Sequence, residues 1–211
     1  MTTTTETARK RYNRAARFYD VHQAVAERLV FRRLRSQLWA KAPATGTVLE
    51  VGVGTGVNIG YYPRGVHVTA IDLSERMLAR AEHRAERLGV AVELALMDAQ
   101  HLDFPDAAFD AVVSTCVFCS VPDPVAGLRE AWRVLKPGGS LLLLEHMRSH
   151  NAVLGRAMDL LNPLMVRMSG ANINRRTLEN LRQAGVQDFG ASSHAFGIIK
   201  LIEARKPVSE A

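Results

Sequence analysis

From Thr47 onward the chain alternates short β-branched and aliphatic runs with segments of helical period, and this alternation limits the fold more than any other feature. The runs "TVLEV" (47–51), "HVTAI" (67–71), "VELAL" (92–96), "FDAVVST" (109–115) and "SLLLLEH" (140–146) read as strands. Several are apolar on both faces, as strands are when helices cover both sides of a parallel sheet. Ser74 to Leu88 reads as a helix, opening on a serine followed by Glu75 and closing before Gly89, and Pro124 to Leu135 as a second, stopped by "KPGG". Such a βαβ series predicts an α/β sheet covered by helices. Thr177 to Ala184 is a further helix ending at Gly185. The runs "VQDFGAS" and "GIIKLIEAR" behind it are spaced as an antiparallel pair closing the sheet edge.

With 211 residues, 47% of them hydrophobic, the chain can bury one sizeable core. The division expected is a basic helical arm and lid over 1–41 and one domain over 42–211. The longest aliphatic run, Leu141 to Leu144, is far short of the ~18 apolar residues that cross a bilayer. "MTTTTETARK" has no apolar core of the kind a secretory signal needs, and there are two cysteines, so a reducing cytoplasmic setting is expected. Charge is unevenly spread. Residues 1–41 carry ten Lys/Arg against three Asp/Glu, and residues 146–176 five against one, on a mildly acidic body. Two basic segments call for an anionic partner: nucleic acid, anionic lipid or a phosphate-bearing substrate.

"VLEVGVGTG" places Glu50, Gly52, Gly54 and Gly56 where a strand ends and a helix should begin. Glycines there let the backbone turn sharply and let a ligand approach main-chain N–H groups. The third glycine of a nicotinamide fingerprint would fall at position 57, which is Val57, so that motif fails. Asp72, at the end of the second strand, is placed to accept hydrogen bonds from two ribose hydroxyls. Asp98 and Ala99 follow the third strand, a place suited to gripping an adenine. "LEVGVGTG", "AIDLSERML", "MDAQHLDFPDAAFDAVVS" and "LREAWRVLKPGGSLLLLEH" resemble the successive motifs of class I S-adenosylmethionine-dependent methyltransferases. The resemblance implies a Rossmann-like α/β sheet of seven strands, the last antiparallel, with helices on both faces and S-adenosylmethionine across the strand ends. It implies Gly52, Gly54 and Gly56 at the methionine part, Asp72 at the ribose, Leu73, Met77, Asp98 and Ala99 at the adenine, and Cys116 near the transferred methyl, with Glu50 and Tyr19 completing the cofactor set. Cys116 and Cys119 have no second Cys pair to make a structural zinc site, so no metal is expected.

Within "ARKRYNRAARFYD" (8–20), a helix would put Tyr12, Ala15, Ala16 and Tyr19 on one face and Arg9, Lys10, Arg11, Arg14 and Arg17 on the other, with Phe18 among the charges. Such a helix either lies in a bilayer interface against anionic headgroups or is a solvated charged helix whose stripe covers the sheet. Beyond Asp20 a longer helical pattern runs through Val25, Leu29, Phe31, Leu34, Leu38 and Trp39. Residues 146–176 form an insertion after the fifth strand, rich in Met and Leu, interrupted by Pro163 and punctuated by Arg148, Arg156, Arg167, Arg175 and Arg176. Pliable methionines and forked arginines suit acyl chains and a phosphodiester.

"FYD" (18–20), "CVFCSVPDP", "LLEHMRS" and "SGANINRRT" are similar to the bacterial phospholipid N-methyltransferases, a group related to the quinone C-methyltransferases. That resemblance implies methylation of the amine of phosphatidylethanolamine toward phosphatidylcholine, by a protein held peripherally on the inner face of the membrane through residues 8–20 and 146–176. Under it His146 is the candidate base and Glu145 an orienting group. Tyr19 faces the methylated cation or closes over the methionine carboxylate, and Arg167, Arg175 and Arg176 are phosphate contacts. A monomer without a nucleic-acid partner is expected. The rivals are a quinone C-methyltransferase or another small-molecule methyltransferase. A tRNA or protein methyltransferase is disfavoured because "CVFC" stands where an "NPPY"-type tetrapeptide would. A non-catalytic module is disfavoured by the intact glycine loop with Asp72.

Overall fold

The computed structural model describes residues 4–208. Seven strands, β1 (Gly46–Val51), β2 (Val66–Asp72), β3 (Glu93–Leu96), β4 (Phe109–Thr115), β5 (Leu135–His146), β6 (Phe189–His194) and β7 (Ile199–Arg205), form one sheet in the order β3-β2-β1-β4-β5-β7-β6. β1 to β5 pair in parallel, and β7 runs antiparallel to both β5 and β6. Strand order reverses between β1 and β4, which opens a crevice at their carboxyl ends.

The apolar runs explain the two-sided cover. Leu49, Val112, Leu141 and Leu143 point into one layer with Leu128 of α5 (Pro124–Arg133) and Leu181 of α7 (Thr177–Gln183). Val48, Val113, Leu142 and Leu144 point into the other with Ala81 of α4 (Glu75–Leu88) and with Leu38 and Trp39. Alternate residues of one strand therefore feed opposite layers, each fully buried leucine stabilising the fold by roughly 1.5–3 kcal/mol. The caps follow the sequence. Ser74 Oγ accepts from the Met77 N–H at 3.2 Å, Gly89 closes α4 at φ 64°, and Asp123 caps α5 ahead of Pro124.

Ahead of the sheet lies a run of consecutive helical turns: α1 (Thr5–Ala15), a tight 3-10 turn (Ala16–Phe18), α2 (Tyr19–Ala26), a wide π turn (Glu27–Phe31) and α3 (Arg32–Trp39). Its inner side is buried at Ala8, Ala16, Leu34, Leu38 and Trp39. Two expectations shift. β5 begins at Leu135, because Phe109 already pairs with Leu135 before the register jumps to Ala111 and Ser140, so "KPGG" bulges within the strand instead of preceding it. The insertion holds one helix, α6 (Ala152–Ser169), which continues through Pro163. Proline there removes the bond to the Asp159 carbonyl, but both residues are exposed, so water can take its place. No helix among the described residues is long and apolar enough to cross a membrane.

Candidate active site

The ends of β1, β2 and β4 and the turns behind them enclose a cleft whose empty space, open mouth included, is about 710 Å³. Its floor is Gly52, Gly54, Ile71, Asp72, Leu73, Met77, Met97, Asp98 and Ala99, and its far wall Thr115, Cys116, Val117 and Ser120. Its roof is the arm, through Ala8, Tyr12 and Tyr19. The stripe predicted on residues 12–19 thus faces inward over the cleft, and the polar flank of α1 fastens it there. Thr5 donates to Asp98 at 3.0 Å, Arg9 pairs with Glu75 at 2.8 Å, and Asn13 donates to Glu75 at 2.7 Å. Tyr12 and Ser120 share a hydrogen bond of 2.5 Å between their hydroxyls. Asp20 anchors the far end, accepting from Thr55 at 2.5 Å and pairing with Arg80 at 3.0 Å and Arg84 at 2.8 Å. Burial opposes its charge, but these bonds and the charge of Arg84 outweigh it and hold its carboxyl below the usual range.

The glycine loop is shaped for a ligand at one point and for packing at another. Gly54 has φ 56° and open space where a Cβ would project, so its backbone can be approached closely. A Cβ on Gly56 would stand 3.0 Å from the Ala81 Cα, so that glycine lets α4 pack against the loop. Asp72 accepts from the Gly54 N–H at 2.8 Å with one oxygen and from the Ser74 N–H at 2.9 Å with the other, which fixes its carboxylate at the cleft with lone pairs to spare. Burial raises its pKa, against the pull of those two amides. A half-buried acceptor, a bare backbone turn and an apolar slot between Leu73, Met77 and Ala99 together fit a nucleoside with an aliphatic tail.

Of the residues expected at the cofactor, Tyr19, Gly52, Gly54, Asp72, Leu73, Met77, Asp98, Ala99 and Cys116 line this cleft. Glu50 does not. It is fully buried beneath the loop, accepting from Asn58 Nδ2 at 2.5 Å and from the Tyr62 hydroxyl, and burial raises its pKa more than these donors lower it. Asn58 in turn donates to Thr115 at 3.2 Å, so Glu50 acts on the cleft through Asn58.

The catalytic and phosphate expectations need correction. His146 is not a cleft residue: it alternates away from Glu145 at the end of β5, and burial lowers its pKa. Glu145 lies under the cleft wall, its Oε1 accepting from the Val117 N–H at 3.0 Å and the Phe118 N–H at 3.2 Å. Burial pushes its pKa up to about 7, partly offset by the amides of residues 117–119. It shapes the turn carrying Cys116, whose thiol burial and the Glu145 charge push well up. Arg175 donates to the Val121 carbonyl at 2.6 Å and braces the same turn, Arg176 pairs with Glu179 at 3.3 Å in a separate depression, and Arg167 is exposed on α6. Tyr12, Thr115 and Ser120 were not expected at the cleft. The inward stripe of the arm was the signal for Tyr12, whereas nothing local marked the other two.

This cleft at the strand ends, with its carboxylate and bare glycine turn, defines a nucleoside-binding α/β fold. A family pattern described as "Methyltransferase domain" matches residues 49–143. The chain is 46% identical over 103 residues to a phosphatidylethanolamine N-methyltransferase of Cereibacter sphaeroides, covering 48% of this chain and 51% of that protein. It is 32% identical over 207 residues to the human thiol S-methyltransferase TMT1A, covering 90% of this chain and 75% of that one. A ubiquinone/menaquinone biosynthesis C-methyltransferase of Roseobacter denitrificans matches at 32% over 156 residues, 71% of this chain and 62% of that one. The chain thus spans about half the length of the first of these relatives. Among solved structures, an S-adenosylmethionine-dependent methyltransferase of Thermotoga maritima superposes with a TM-score of 0.69 at 23% identity, covering 91% of this chain and 98% of that one. The chain belongs to the class I S-adenosylmethionine-dependent methyltransferases, with S-adenosylmethionine as cofactor.

Proposed function

We propose that the protein methylates the amine of phosphatidylethanolamine, and of its methylated intermediates, at a membrane surface. The observation that carries this reading is an outward apolar stripe on the arm. Phe18, Val21, Val25 and Leu29 are 53%, 73%, 69% and 76% exposed, at successive turns of the helical run whose inner side roofs the cleft. Arg14, Arg17, Arg28, Arg32 and Arg33 are exposed around it. Apolar insertion flanked by cations favours an anionic bilayer surface, at roughly 1 kcal/mol per basic residue. On α6, Val153, Leu160, Leu161, Leu164 and Met168 offer a second exposed apolar face. The similarity to the Cereibacter sphaeroides enzyme supports the same acceptor.

Gly54, Asp72, Leu73, Met77, Asp98 and Ala99 would hold S-adenosylmethionine, which when bound supplies a methyl already activated on a sulfonium. The chain's own task is then alignment and exclusion of water. Tyr19, Thr115 and Cys116 meet at one end of the cleft. Burial raises the pKa of Tyr19 and of Cys116, so both stay neutral and protonated at pH 7 and neither competes as a nucleophile. An ammonium has no lone pair, so the amine enters neutral, its proton left to water at the mouth. The rings of Tyr12 and Tyr19, with centroids 6.5 Å apart, offer aromatic faces to the cation that grows as methyls accumulate.

The test is methyl transfer from radiolabelled S-adenosylmethionine to phosphatidylethanolamine vesicles, beside a demethylated quinone and an alkyl thiol. Label in mono- and dimethylated lipid is expected. A thiol acceptor is the second reading, favoured by the alignment to the human thiol enzyme along 90% of this chain. Label in the thiol or the quinone but not the lipid refutes the phospholipid reading.

A further inference from the structure

Past Tyr19, Thr115 and Cys116 the cleft adjoins a second lobe of about 1020 Å³, mouth included, between the arm and the loop after β1. Its walls carry Arg28, Arg32, Arg35 and Arg84 against two carboxylates, Asp20 and Glu27. Half of that positive charge is already engaged. Arg35 pairs with Glu27 at 3.0 Å and donates to Asn58 at 2.8 Å, and Arg84 pairs with Asp20 at 2.8 Å. Among the described residues, no carboxylate pairs with Arg28 or Arg32. They stand four residues apart on the wall that also presents Phe31, with the exposed Val25 and Leu29 on the same rod. Two unpaired guanidinium forks in a recess that shares a wall with the reacting end constitute a site for a doubly liganded oxyanion. The arginines first expected to bind phosphate lie elsewhere: Arg175 and Arg176 line another depression, and Arg167 is on α6.

We propose that this lobe seats the phosphodiester of the acceptor, with Arg28 and Arg32 as its forks, so that the amine extends toward Tyr19 and Cys116 and the acyl chains leave along Val25 and Leu29. The inference rests on the phospholipid reading, and it replaces the phosphate contacts expected from the sequence. The identity of the anion is open to direct attack, because the α-carboxylate of the cofactor would also suit arginine.

The experiment is calorimetry on protein loaded with S-adenosylhomocysteine, titrated with dihexanoyl phosphatidylethanolamine and, separately, with inorganic phosphate. Arg28→Ala and Arg32→Ala are each expected to weaken the short-chain lipid about tenfold, as for the loss of a charged hydrogen-bond partner, and the double variant to abolish binding. Arg87→Ala removes the same charge from the exposed last turn of α4, outside the lobe, and is expected to change nothing. Retained S-adenosylhomocysteine affinity shows that the variants are folded. The proposal is overturned if the unsubstituted protein does not bind the lipid or if the double variant binds it equally well. It is also overturned if S-adenosylhomocysteine affinity falls in parallel, which would assign the forks to the cofactor carboxylate, or if inorganic phosphate binds as tightly as the lipid. None of these readouts uses methyl transfer. A protein that binds the lipid through Arg28 and Arg32 but transfers no label to it keeps this site and loses the proposed reaction.

Discussion

Glu145→Gln should make the protein more stable at pH 8 and less stable at pH 5. The carboxyl of Glu145 is fully buried, and its pKa stands at about 7 against an ordinary value of 4.5. Unfolded, it loses its proton near the ordinary value; folded, it keeps that proton until about 7. The folded state therefore holds the extra proton across that window, so stability falls as pH rises through it and levels off above. The gap corresponds to about 3 kcal/mol. Glutamine keeps an oxygen for the amides of Val117 and Phe118, and its NH2 replaces Oε2, which has no hydrogen-bond partner. That unpartnered NH2 costs about 1–2 kcal/mol at every pH. The variant should then gain about 1–2 kcal/mol at pH 8 and lose up to about 1 kcal/mol near pH 5, where the unfolded carboxyl is already partly ionised, and other titrating groups cancel in the difference. Urea unfolding of both proteins from pH 5 to 8 measures it. At a slope of roughly 2 kcal/mol per molar, the two midpoints should cross and their separation should change by about 1.2 M between pH 5 and 8. Parallel midpoints across that range would refute the reasoning, since the carboxyl would then be ionised in both states.

The two glycines should fail differently. Gly54→Ala pays left-handed strain of roughly 1–2 kcal/mol and pushes a methyl into the cleft, so calorimetry should show S-adenosylhomocysteine weakened tenfold or more, whereas Gly56→Ala meets Ala81 and should lower the melting temperature further. The reverse order would remove the ligand role from Gly54. Asp20→Asn gives up two charged partners at the far end of the roof, so hydrogen exchange over residues 5–39 should quicken about tenfold or more while β4 and β5 stay protected. Unchanged exchange would mean the roof is held elsewhere. Val25→Glu with Leu29→Glu should abolish sedimentation with anionic vesicles and leave S-adenosylhomocysteine binding intact, because both side chains point away from the cleft. Undiminished sedimentation would rule out this stripe as the lipid contact.

The middle of the sheet was legible because β1, β2, β4 and β5 are buried on both faces over most of their length. "FDAVVST" coincides with β4, and the helix after Ser74 begins and ends where its serine and Gly89 dictate. The cofactor end of the cleft was legible for the same local reason, since Asp72, Asp98 and the glycine turn each follow a strand directly. The catalytic end was not. His146 and Glu145 are adjacent in sequence, yet the alternation of β5 sends one beneath the cleft wall and the other away from it, which their neighbours in the chain do not reveal. Pro163 suggested an interruption, but an exposed proline can sit in a helix whose fifth-residue carbonyl has water available. The arm showed an apolar stripe whose destination depended on partners 60 or more residues away: Glu75 for Asn13, Ser120 for Tyr12, and Arg80 with Arg84 for Asp20. No window of sequence contains both halves of such a pair.

Because the lid over the nucleoside groove is fastened at its margins by ion pairs and hydroxyls, with little more than two alanines and two tyrosines beneath it, its hold weakens with ionic strength more than the sheet's does. A spent nucleoside lodged under that cover leaves only as fast as the fastenings open. Turnover should therefore quicken with moderate salt wherever release, and not the displacement itself, sets the pace.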